Sequence, residues 1–158
     1  MNIAVDITPI KGKKISGHKV RGVGMYIQFL FENLERFDKE NSYTFFTRGD
    51  VLPFNIDIVH YPYFDPFFQT LPFQKKFKTV VTVHDLTPIV FEKHFPAGIR
   101  GKLFWNIQKS LLKRVEHVIT DSNNSRKDTI RLIGVSDKKV SVVYLSASHE
   151  FKKLETVP

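Results

Sequence analysis

The segment Thr79-Val-Val-Thr-Val-His-Asp-Leu-Thr-Pro88 constrains this chain more than any other. Four β-branched residues in succession, then Val83, read as a strand buried on both faces, the mark of a parallel sheet. Pro88 lacks the N–H that a ladder needs, so the strand stops before it. His84 and Asp85 therefore arrive at the C-terminal edge of the sheet, where open α/β folds bind their ligands. A His-Asp pair after a strand also serves as an ordinary loop hydrogen bond, so the pair alone leaves both roles open.

The rest of the chain alternates strand and helix. Residues 2–8 read as a buried first strand, followed by a Lys-rich loop to about Arg21. Val23, Ile27, Leu30, Phe31 and Leu34 fall at helical spacing and predict a helix over 22–37. Residues 43–47 and 57–61 are short strands, and 62–77, rich in Phe and Pro, is irregular. Ile99, Leu103, Ile107, Leu111 and Val115 predict a second long helix with that stripe toward the core. Residues 117–121 and 139–145 are the last two strands. Between them Ser122-Asn-Asn-Ser125 offers N-caps, Ser125 with Asp128 fits a capping box, and Gly134 suits the helix end. Helices of this length between strands imply parallel pairing with right-handed crossovers, hence an α/β three-layer sandwich.

With 158 residues the chain has the length of one domain. It has no Cys, which removes disulfides, thiolate metal sites and a cysteine nucleophile. The first residues, with an acid at Asp6, do not read as a secretory signal, and no apolar run approaches the roughly 18 residues of a membrane span. A net charge of +8 favours anionic partners. No recognised nucleic-acid motif accompanies that charge, so nucleic acid is not an expected partner. The scattered histidines show no metal-ligand spacing, and no metal is expected. No Gly-x-Ser-x-Gly elbow marks a serine hydrolase.

Gly22, Val23 and Gly24 open the first long helix, where close backbone approach and free N–H groups favour a phosphate. Before them stand Lys11, Lys13, Lys14, His18, Lys19 and Arg21, with no acid between Asp6 and Glu32. The same features also describe a tight helix start beside a solvated loop. A dinucleotide fingerprint fits poorly, because Ile27 stands where a third small residue belongs. That disfavours a nucleotide-dependent oxidoreductase. The helix over 99–115 carries Arg100, Lys102, Lys109, Lys113 and Arg114 beside Phe104 and Trp105, a combination that suits a membrane interface as well as a core stripe. Phe64, Phe67, Phe68 and Phe73 either line a groove or fold onto the core.

Taken in order, the first strand, the basic loop, Gly22-Val-Gly24-Met-Tyr26, Val83-His-Asp-Leu-Thr-Pro88, Val118-Ile-Thr-Asp-Ser122 with Ser125, and Val140-Ser-Val-Val-Tyr144 resemble the N-terminal half of a family 4 glycosyltransferase. The resemblance spans nearly the whole chain. It implies one half of a GT-B architecture: a Rossmann-like acceptor-side domain over 1–146, with 147–158 starting an interdomain linker and the donor-binding domain absent. It implies transfer of a sugar from a nucleotide-sugar to a saccharide or lipid-linked acceptor, with retention of configuration and no cofactor or metal. Gly22, Val23 and Gly24 would lie near the donor diphosphate. His84 would lie beside the donor sugar, with Asp85 orienting it or binding a hydroxyl. Lys11, Lys13, Lys14, His18, Lys19 and Arg21 would meet an anion or the acceptor, and Ser122 and Ser125 would shape a turn near the cleft. Met25 and Ser146 depart from the family's usual residues, which bears on the donor contacts and the linker turn. The expected setting is cytoplasmic, peripheral on the inner face of the membrane, with the isolated chain inactive or nearly so. The other reading is a non-catalytic basic module that binds an anionic ligand or a membrane surface.

Overall fold

The computed structural model describes residues 1–11 and 22–147. Strand β1 (Asn2–Asp6) leads into a single turn, α1 (Thr8–Lys11), and helix α2 (Gly22–Phe37) follows. Strands β2 (Ser42–Phe46), β3 (Ile58–Tyr61) and β4 (Lys78–Val83) come next, then a turn α3 (Thr87–Val90) and helix α4 (Gly98–Leu112). Strand β5 (His117–Thr120), helix α5 (Asn123–Asp128) with a π-helical turn over Thr129–Ile133, and strand β6 (Val140–Val142) complete the described chain.

The strands form one six-stranded sheet in the order β2-β1-β3-β4-β5-β6, and every neighbouring pair is parallel. This is the doubly wound α/β arrangement, Rossmann-like, with the change of winding direction between β1 and β3. Register sorts the side chains onto two faces. Tyr61, Val81, Val118 and Val140 make one row, and Val5, His60, Val80 and His117 make a row on the other side. The first face builds the larger core with Leu112 of α4 and Ile133 of the π turn, both fully buried. The second face is covered by α2, whose buried Ile27 packs with Ile7 and Ile10 beside Phe45. Each such side chain removed from water contributes about 1.5–3 kcal/mol, so the helical stripes hold the layers together.

Several boundaries differ from expectation. Strand β1 ends at Asp6, not Thr8, because the Asp6 carboxylate accepts from the backbone N–H (2.8 Å) and hydroxyl of Thr8 and starts a turn there. The last strand spans three residues rather than 139–145: Asp137–Lys139 is a 3₁₀ turn, and β5 ends at Thr120, leaving no partner strand beyond one bond from Val143 to the Thr120 carbonyl. The cap of α5 is Ser122, whose hydroxyl accepts from the Ser125 N–H at 3.1 Å, so the Ser125–Asp128 capping box does not form.

The largest correction concerns α4. Its buried face carries Gly101, Gln108 and Leu112, while Ile99 and Leu103 stand 92% and 59% exposed. Gln108 explains the rotation. Its Oε1 accepts from Thr70 N, Thr70 Oγ1 and Leu71 N, so the irregular segment after β3 requires this polar side chain inward.

Candidate active site

His84 and Asp121 each lie on the first residue beyond their strand that continues the α2-side parity. The β4–β5 register pairs Val80 with His117 and Thr82 with Ile119. Two residues further on, the same parity sets His84 beside Asp121. Their side chains meet, His84 Nδ1 to Asp121 Oδ2 at 2.6 Å, and both are largely buried, 14% and 17% exposed.

The other ring nitrogen is engaged as well. His84 Nε2 lies 3.1 Å from the Pro62 carbonyl, just after β3. Carboxylate and carbonyl both accept hydrogen bonds, so the ring nitrogen that carries the proton donates to one of them, and the tautomer sets which. Both ring nitrogens are engaged within the protein, so the ring is held in one orientation. From α2, Tyr26 meets the imidazole edge to face, ring centroids 4.8 Å apart. The Tyr26 hydroxyl bonds Thr82, and burial raises its pKa. Thr82 Oγ1 in turn lies 2.9 Å from His60 Nε2, and burial first, then the neighbouring His84, push the His60 pKa down to about 4. The His84 backbone is fixed too, its carbonyl accepting from Ser125 Oγ at 2.6 Å.

The expected site residues separate into those this cluster gathers and those it does not. Asp85 does not orient His84: its exposed carboxylate accepts from Thr87 N at 2.8 Å and opens the next turn. Asp121 holds the ring instead. Ser122 and Ser125 stand in the turn beside the imidazole, joined by a 3.1 Å hydroxyl contact. Gly22 and Val23 are exposed and Gly24 is buried at the start of α2. Among the described residues a Cβ built on Gly22 would meet nothing within 4 Å, so their packing does not demand glycine there. Lys11 sits with its ammonium 4.1 Å from the Phe31 ring centroid. Lys13, Lys14, His18, Lys19 and Arg21 lie outside the described residues.

A cavity of about 390 Å³ lies on the other face of the sheet, with Asp6, Val59 and Tyr61 on its floor and Arg48, Thr70 and Lys76 in its walls. None of the His84 cluster lines it. Asp6 is buried there, which raises its carboxyl pKa. Among the described residues, no three His, Asp or Glu side chains are grouped to hold a metal ion, and no helix is long and apolar enough to cross a membrane.

Sequence reasoning missed Asp121, Tyr26 and the Pro62 carbonyl. A period-two count from Thr82 and Ile119 would have found Asp121; no local signal marks a carbonyl arriving from another strand.

An all-parallel sheet with an imidazole held at its C-terminal edge meets a direct comparison of sequence. The family model described as Glycosyltransferase Family 4 matches residues 11–150. The chain belongs to glycosyltransferase family 4. A comparison with curated proteins finds no match. The α/β sandwich of this family 4 domain is consistent with an N-terminal GT-B half, and the His84 cluster, the start of α2 at Gly22 and the Ser122 cap all fall within the matched span.

Proposed function

We propose that this family 4 domain is the acceptor-side half of a glycosyltransferase that takes a sugar from a nucleotide-sugar and transfers it with retention of configuration. One observation carries the reading: the His84 imidazole is held between Asp121 and the Pro62 carbonyl at the C-terminal edge of the sheet. Glycosyl transfer builds negative charge on the departing diphosphate and distorts the reacting sugar. A fixed N–H that strengthens its bond as charge develops lowers that barrier without reorganising. With the proton on Nε2 the arrangement suits transition-state stabilisation, a sugar oxygen taking the place of the Pro62 carbonyl.

In this reading the open space over Gly22 admits the donor diphosphate. Most of the donor would be bound by a second, C-terminal domain facing this edge, so this domain alone would turn over little. Positioning both substrates accounts for much of such a rate. The test is a transfer assay with the chain alone and with a matching family 4 C-terminal domain supplied, the product's anomeric configuration being read by NMR. Transfer is expected only with both halves, and with retention. Robust transfer by the chain alone, or an inverted product, would overturn the reading.

A further inference from the structure

The sheet has a second concave site on the face away from His84. There the segments 48–52 and 69–77 bound strands β2, β1 and β3 and enclose the cavity of about 390 Å³. That volume falls among those of small-molecule sites, about 300–1,000 Å³. Hydrogen bonds fix both walls. Gln108 Oε1 holds Thr70 and Leu71 in one, and in the other Asp50 Oδ2 accepts from Thr47 N at 2.7 Å. Arg48 N donates to Thr8 Oγ1 at 2.7 Å, which ties the second wall to the end of β1. The cavity is thus a formed feature of the fold, and its lining divides by chemistry. At its floor Asp6 is 1% exposed. Asp6 Oδ1 accepts from Thr8, whereas among the described residues Oδ2 receives the Tyr63 hydroxyl at a long 3.4 Å, which leaves it room for a further donor. Beside it Phe46 and Tyr61 meet edge to face, ring centroids 6.1 Å apart. Exposed Arg48, Gln74 and Lys76 supply donors nearer solvent.

We propose that this cavity is a saccharide-binding site separate from the transfer centre, in which Asp6 accepts from the hydroxyls of a sugar ring, Phe46 and Tyr61 pack on its apolar side, and Arg48 and Gln74 donate to its outer oxygens. The distribution of charge selects this ligand class. An anion would have to lie against the Asp6 carboxyl, and a cation would have to pass Arg48 and Lys76. A neutral ring whose hydroxyls both donate and accept suits the acceptor at the floor and the donors above it. Burial raises the Asp6 carboxyl pKa, and a hydroxyl donated to Oδ2 favours its charged form again. Tyr61 immediately precedes Pro62, whose carbonyl meets His84 Nε2, so the cavity and the His84 cluster share one strand end while facing opposite sides of the sheet. The inference stands on this cavity and does not depend on the transfer reading.

Amide NMR of the isotope-labelled 158-residue chain, titrated separately with glucose, galactose, mannose and N-acetylglucosamine and with no nucleotide-sugar present, tests it. At least one sugar should shift the amides of Asp6, Arg48, Tyr61 and Thr70 saturably, with a millimolar or tighter Kd. Arg48→Ala, at an exposed position, should keep its circular dichroism and lose about tenfold in affinity for that sugar. Asp6→Asn keeps an oxygen for Thr8, replaces the second acceptor by an amide and should abolish binding. Lys127→Ala, which removes an exposed cation elsewhere, should bind as wild type. Three results would overturn the inference: no shift with any of the four sugars, unchanged affinity in folded Arg48→Ala, or sugar shifts confined to the amides of His84, Ser122 and Ser125. Inorganic phosphate shifting the cavity amides where the sugars do not would make it an anion site instead. Failure here leaves the transfer assay unaffected, and failure there leaves sugar binding in the cavity unaffected.

Discussion

His84 Nδ1 lies 2.6 Å from Asp121 Oδ2, and the two residues come from adjacent strands by the same period-two step. The carboxylate fixes which way the imidazole faces, and that sets Nε2 toward Pro62 and the edge of the sheet. Asp121 is on this view a positioning residue, acting only through His84.

In an enzyme completed by a C-terminal domain, His84→Ala should lower kcat on the order of a hundredfold or more, the usual loss for one transition-state donor. Asp121→Asn preserves shape and removes the charge, so it should lower kcat with KM for the acceptor nearly unchanged. The readout particular to positioning is the His84 Nδ1 proton in NMR, which should shift upfield or broaden in Asp121→Asn. An unaltered kcat in both variants would remove the cluster from catalysis.

His60 makes a separate prediction about pH. Its pKa falls from 6.5 to about 4 on folding, through burial and then through His84. The unfolded chain therefore binds a proton that the folded one refuses between those values. Stability contributed by the neutral ring is present above pH 6.5 and is lost as pH falls toward 4, up to roughly 3 kcal/mol in total. Asp6, raised by burial, contributes the opposite slope above its ordinary 3.8. Urea midpoints measured from pH 4 to 7 should thus fall on acidification less steeply in His60→Gln than in wild type. Identical pH profiles would show that the ring titrates normally.

Gln108 should be among the least replaceable core positions. Three donors converge on its Oε1, two of them backbone N–H groups of Thr70 and Leu71, all buried. Gln108→Leu fills the volume but strands those donors, at about 1–3 kcal/mol for a buried unsatisfied group and more when several are left together. Chemical denaturation should register the loss as a lower midpoint. A neutral result would mean the 69–71 segment finds water or another acceptor.

The sheet was legible because its signals are local: β-branched runs at 79–83, Pro88 as a stop, and turn residues between elements. The start of α2 at Gly22 and its end at Phe37 follow from the same periodicity. Periodicity found α4 and the core contacts of Leu111 and Val115 but misjudged its first two turns, because hydrophobic spacing reports an apolar stripe without saying which side is covered. Gln108 belongs to no apolar stripe, yet its three acceptor bonds turn the helix and leave Ile99 and Leu103 outside. The site was half legible for a related reason. His84 announces itself at a strand end, but its partners Asp121, Tyr26 and the Pro62 carbonyl come from three other elements. Only the register between strands brings them together.

Gly22 offers the cleanest separation of fold from function. It is exposed, a Cβ there would touch nothing within 4 Å among the described residues, and its φ is not in the left-handed region, so Gly22→Ala should fold as well as wild type. Alanine is the better helix former by up to about 1 kcal/mol in a helix interior and less at a first turn, so Tm should hold or rise slightly. If backbone approach to the donor diphosphate is what the glycine serves, the added methyl stands where a phosphate oxygen must pass. The completed enzyme carrying Gly22→Ala should then show a Kd for the nucleotide-sugar raised about tenfold or more, the cost of one displaced phosphate contact. Isothermal titration with the donor beside a thermal melt measures both. An unchanged Kd with unchanged Tm would return Gly22 to a plain helix start and move the diphosphate elsewhere on this edge.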